Sequence, residues 1–197
     1  MDQRVRFGVT VTASTRRWGV ATVVVMVGVT GWLTATATPE DRPFGIAITT
    51  VVVLGLLWFA TARMWLDPAA GTFTRTQLGV IRKRFRYADT TAIQLEDNKG
   101  GGLALRTDAG EGWRHRLRLP LICGGPTGVG GANPASLRAL VTIVETHVRP
   151  ALHADVLPAL RAQLAHLEAG GSYADSPLAA RTSYSALSRA AGMQPPE

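Results

Sequence analysis

The stretch "LGVIRKRFRYADTTAIQLED", Leu78 to Asp97, decides how the chain is organised. In an extended backbone successive side chains point to opposite faces, so Ile81, Phe85 and Tyr87 fall on one side and Arg82, Arg84 and Arg86 on the other. Such alternation marks a strand with one buried and one solvated face, as in an antiparallel sheet. Leu78-Gly79 is a tight connection back to "TFTRTQ", and "TTAIQLED" leads through "NKGGG", whose glycines permit positive φ, into "LALRTD".

Further strands lie to either side. A first one, about Thr61 to Asp67, ends in the turn "DPAAG". Beyond "AGEG", the segment "WRHRLRLP" repeats the basic alternation, with His115, Leu117 and Leu119 opposed to Arg114, Arg116 and Arg118. Ile93, Leu95, Leu103 and Leu105 supply further apolar alternation, and a seventh strand is assigned to the Gly-rich 120–132 region. Asn133-Pro134 then starts a helix, with Asn as cap and Pro at the first helical position, and Leu137, Leu140, Val141, Val144 and Val148 form its apolar stripe. Arg149-Pro150 stops it. Leu152 to Glu168 is a second amphipathic segment, which Pro158 either kinks or begins. The Ser-, Ala- and Pro-rich remainder, 170–197, is expected to be a mobile tail.

Upstream, the periodicity disappears. Trp18 to Ala37 and Phe44 to Ala62 carry no charge, and at 1.5 Å per residue each is long enough for a hydrocarbon layer roughly 30 Å thick. The short "TPEDRP" between them makes an antiparallel hairpin, read as two transmembrane helices. Arg4, Arg6, Arg16 and Arg17 before the first run, and Arg63 and Arg75 after the second, place both termini in the cytoplasm of an inner-membrane protein. Ala35-Thr36-Ala37 also fits a signal cleavage site, but cutting there leaves only a stub before another apolar run.

The order of elements resembles bacterial membrane proteins with pleckstrin-homology-like domains. The likeness is carried by the Asp-Pro…Gly turn in "WLDPAAGTFTRT", the short "LGVIRKRFRY" hairpin and the "YADTTAIQLE" strand. The resemblance implies a bent antiparallel barrel plugged at one end by a C-terminal helix, and an interaction or scaffold role with no catalytic residues. The expected fold class is thus an α+β membrane protein. Its parts are a basic cytosolic N-terminus (1–17), a transmembrane hairpin (18–62), the pleckstrin-like domain (63–149), an extra helix (150–169) and the tail (170–197).

The formal charge of +7 calls for an anionic neighbour. Basic residues are almost all Arg, the exceptions being Lys83 and Lys99. The single Cys123 excludes an internal disulfide framework and a thiolate-rich metal site. "GPTGVG", 125–130, has the outer glycines of a phosphate-binding loop, but Gly131 and Ala132 stand where Lys and Ser/Thr are needed. His115, His147, His153 and His166 lack paired-ligand spacing. No catalytic, cofactor-binding or metal residue is assigned. The candidate site is the double arginine ladder Arg82, Arg84, Arg86, Arg114, Arg116 and Arg118, although charged faces also simply keep a half-buried sheet soluble. The partners expected are anionic lipids of the cytoplasmic leaflet and a membrane protein or a second copy of the chain. Nucleic acid is not expected, because exposed aromatics do not interleave with the arginines. The alternative is an accessory subunit of a larger membrane complex, with the hairpin as its contact surface.

Overall fold

The computed structural model describes residues 4–10, 13–77, 79–97, 102–112, 115–125 and 128–182; for 13–20, 22, 57–60, 81, 82, 124, 125 and 128 only the backbone is described. Among the described residues, nine strands form two antiparallel sheets. The first has the order β1 (Val5–Arg6), β3 (Arg63–Asp67), β4 (Thr72–Gln77), β5 (Val80–Arg86). The second has the order β2 (Val9–Thr10), β9 (Gly128–Ala132), β8 (Arg116–Gly125), β7 (Gly102–Asp108), β6 (Ala92–Asp97). Alternation sorts their faces by burial. Leu66, Phe73 and Phe85 lie in one cross-strand row of the first sheet, and Leu105 pairs with Leu119 in the second; all are buried in a single apolar cluster.

Helix α3 (Pro134–His147) lays its stripe Leu137, Leu140, Ile143 and Val144 into that cluster. The Asn133 side chain caps it by accepting from Ser136 N at 2.7 Å, and Pro134 occupies the position where a missing N–H costs nothing. A short α4 (Pro150–His153) leads to α5 (Val156–Glu168), in which Pro158 sits in the first turn and so marks a start rather than a kink. Helix α5 packs on α3, burying Val156, Leu157, Ala159 and Leu160, with ion pairs Arg138–Glu168 and Arg161–Glu145 at 2.5 Å on the rim.

Two terminal segments belong to this module. Residues 5–10 run from the first sheet to the second: Val5 pairs with Leu66, Val9 with Ala132, and Phe7 between them is only 5% exposed. Ser136 Oγ on α3 accepts from Gly8 N at 3.0 Å and donates to Arg6 O at 3.2 Å, so the segment ties both sheets to the helix. The tail expected over 170–197 is instead packed through residue 182; 183–197 lie outside the described residues. Leu178 is fully buried, its N–H donates to Gln163 Oε1 at 3.1 Å, and Tyr173 OH donates to Ala132 O at 3.0 Å.

The transmembrane hairpin is corrected by the structure. Helices α1 (Ala13–Thr36) and α2 (Arg42–Ala60) are present and paired, but among the described residues no helix is long and apolar enough to cross a membrane. Both runs are uncharged and hold long apolar stretches, but threonines and glycines interrupt them. Helix α1 takes in Arg16 and Arg17 and carries Thr30, Thr34 and Thr36, while α2 starts on Arg42 and carries Thr49 and Thr50. These hydroxyls bond the carbonyls one turn back, as in Thr30 to Met26 O at 2.8 Å and Thr50 to Ile46 O at 2.8 Å. The chain is α+β, as expected, but the membrane part of that fold class, the membrane and transmembrane-helix assignments and the two-helix inner-membrane location fall with that reading. The hairpin is closed by polar and small groups: Thr34 and Thr49 share a 3.2 Å hydroxyl contact, and Gly45 lies so near Thr34 that a Cβ there would meet its Oγ1 at 2.9 Å.

Candidate anionic-surface interface

Of the six arginines of the sequence reading, the four with described side chains lie on two different sheets. Arg114 lies outside the described residues, and of Arg82 only the backbone is described. Arg116 and Arg118 stand on the outer face of the second sheet, where acids meet them. Asp108 lies directly across from Arg116, with Arg116 Nε at 3.1 Å, and Glu96 forms an ion pair with Arg118. Between the two acids Arg106 binds Asp108 at 2.8 Å and Glu96 at 3.6 Å. This is a self-neutralising checkerboard across β6, β7 and β8.

Burial pushes the Asp108 carboxyl up, but hydrogen bonds from Arg106 and Arg116, together with their charge, more than offset it and hold the group below the usual carboxylate range. A carboxyl depressed in the folded chain contributes stability above its unfolded pKa and loses it as pH falls through the folded value. Asp108→Asn is therefore expected to cost about 1–2 kcal/mol at neutral pH. Urea unfolding at neutral and at acid pH checks this: the gap from the parent protein should shrink on acidification, and a pH-independent gap would contradict it.

Arg84 and Arg86 are placed differently. They are exposed on the outer face of the first sheet, and neither forms an ion pair among the described residues. Register brings further groups beside them. Arg6 pairs with Trp65, Trp65 with Thr74 and Thr74 with Arg84, making one row across four strands. Arg63, opposite Thr76, and Arg86, opposite Thr72, lie in the adjacent rows. Arg6 and Arg63 are likewise exposed and without an ion pair among the described residues; the nearby acid Asp67 is met by Arg4 at 3.6 Å. The result is four unneutralised guanidinium groups around a half-buried Trp65.

Sequence reading missed Arg6, Trp65 and Arg63 as members of this face. The alternation of Val5, Phe7 and Val9 with Arg4 and Arg6 was the available signal. Among the described residues, no group of three or more His, Cys, Asp or Glu side chains is placed to hold a metal ion. No protein-family model, curated protein or solved structure matches the chain.

Proposed function

We propose that the chain is a nonenzymatic interaction module, pleckstrin-homology-like in its capped pair of sheets, that docks on anionic lipid headgroups through the outer face of its first sheet. The observation that carries this reading is the row Arg6, Trp65, Thr74, Arg84, flanked by Arg63 and Arg86, with no acid among the described residues neutralising those four arginines. Near an anionic leaflet each basic side chain is worth about 1 kcal/mol, so four supply about 4 kcal/mol, reduced by salt. Trp65 adds an amphipathic ring suited to the headgroup level. A single aromatic is a thin stacking platform for nucleic acid. Attachment of this kind is at the surface and invokes no crossing helix.

Co-sedimentation with vesicles of phosphatidylglycerol and of phosphatidylcholine tests the reading. The full chain should bind the anionic vesicles more tightly, and Arg84→Glu with Arg86→Glu should weaken that binding at least about tenfold. Equal affinity for both vesicles, or no loss in the double variant, would refute it. The neutral vesicles control for any contribution of the helical hairpin.

A second reading rests on that hairpin. Trp32, Phe44 and Val51 are 64%, 71% and 70% exposed, and Val24, Val25, Ile46 and Leu54 are exposed beside them. An apolar surface of this extent marks an interaction site, so the hairpin is also read as the contact surface of a larger assembly, in its simplest form a second copy of the chain. Light scattering of the purified protein should then give a defined mass above the 21.0 kDa of one chain, and Val24→Asp with Val51→Asp should return it to a monomer. A monomeric parent protein would eliminate self-assembly.

A further inference from the structure

The inner face of the first sheet carries a pair of cations that the outer-face reading does not use. One row beyond the buried Leu66, Phe73 and Phe85, the inward positions are Met64, Arg75 and Lys83, paired in that order across β3, β4 and β5. Arg75 and Lys83 are thus directly opposite each other, an arrangement of like charges that destabilises a sheet. A register shift follows at once, between Arg75 and Thr76. Bulges of this kind bend a strand and re-aim its side chains, and they concentrate beside binding sites.

Both side chains are half-buried, and neither has a carboxylate partner among the described residues. Arg75 Nε is sealed from solvent, with no acceptor among the described residues. Lys83 Nζ donates to the backbone carbonyl of Arg116 on β8, so the ammonium lies where the first sheet meets the second. Burial, followed by the charge of Arg75, pulls the Lys83 pKa below its usual value. Positive charge is held at this place against its own repulsion and against desolvation, with a guanidinium N–H left over.

We propose that Arg75 and Lys83 form a binding site for one small oxyanion, phosphate or a phosphomonoester, where β4 and β5 approach the start of β8. The forked guanidinium and the compact ammonium supply donors of two geometries to different oxygens of one tetrahedral anion. An anion bound between the two side chains turns a repulsive pair into two attractive ones. This site is independent of the outer arginines.

Thermal unfolding of the full chain at constant ionic strength, in chloride and in inorganic phosphate, tests it. Phosphate should raise the melting temperature saturably, by about 5–10 °C at a hundredfold excess over the dissociation constant. Lys83→Met should abolish the response and, in chloride, melt above the parent protein because the repulsion is gone; Arg75→Gln should abolish the response too. Arg84→Gln with Arg86→Gln should retain it, which separates failure of this site from failure of the outer face. A response to free phosphate or glycerol phosphate assigns a soluble ligand. A response to phosphatidic acid vesicles alone, lost in Lys83→Met, assigns a headgroup phosphomonoester. No response to either, or an equal shift in Lys83→Met, overturns the site.

Discussion

Phe7→Ala is expected to lower the free energy of unfolding by about 3–5 kcal/mol, the range for emptying a buried aromatic site. Against a typical total of about 5–15 kcal/mol, that is a large loss for one residue near a chain terminus. The effect follows from position. Phe7 is the buried link between β1 on the first sheet and β2 on the second, and its own N–H donates to Met64 O at 2.8 Å. Gly8, next to it, donates to Ser136 Oγ and accepts from Asn133 N at 3.0 Å, at the start of α3. Emptying the site loosens the corner where both sheets and the capping helix meet. Urea unfolding with a comparison of slopes measures it. A loss below about 1 kcal/mol would mean that residues 5–10 lie on the module without stabilising it.

The second large effect is expected at Gly102, at the start of β7. Its φ is +117°, and a Cβ there would meet the carbonyl oxygen of Ile122 at 2.1 Å, the carbonyl carbon at 2.8 Å and the Cα of Cys123 at 3.1 Å. Those atoms are the backbone of the neighbouring strand β8, paired as Gly102 with Cys123 and Leu103 with Ile122, and a backbone has no rotamer to which it can retreat. Alanine at an unstrained glycine position commonly stabilises by restricting the unfolded chain. Here the sign reverses, and Gly102→Ala should cost at least about 3 kcal/mol from strain and lost pairing together. Gly79 supplies the comparison, since its φ is +76° but nothing lies within 4 Å of an added Cβ. Gly79→Ala should cost only the backbone strain, about 1 kcal/mol. Thermal melts that rank the two variants alike would contradict the close approach of β7 to β8.

Much of the sheet was legible because its signals are local. The period of two in "VIRKRFRY" and "RLRLP" separates buried Phe85, Leu117 and Leu119 from the outward arginines, and Asn133-Pro134 states where α3 begins. What escaped depends on partners far along the chain. Residues 5–10 pair with β3 and β9 across the intervening hairpin, and no local pattern names those partners. The tail was judged by its average composition, which hides Tyr173 and Leu178 as anchors. The two ladders looked equivalent since alternation assigns a face but not its neighbours. Only register shows Glu96 and Asp108 beside Arg118 and Arg116, while Thr72 and Thr74 lie beside Arg86 and Arg84. In the hairpin the misreading was of another kind, where valine-rich stretches outweighed the threonines and glycines within the runs.

That difference between the ladders is the centre of the functional account, and one measurement addresses it directly. Binding of the full chain to phosphatidylglycerol vesicles should be titrated for the parent protein, for Arg84→Gln with Arg86→Gln, and for Arg118→Gln, at one fixed salt concentration. Each unneutralised arginine is worth about 1 kcal/mol, so the first variant should lose about tenfold or more in affinity. Arg118, already committed to Glu96, should lose almost nothing on neutralisation. An equal loss from Arg118→Gln, or an undiminished affinity in the Arg84 and Arg86 variant, would contradict the assignment of the first sheet as the docking face.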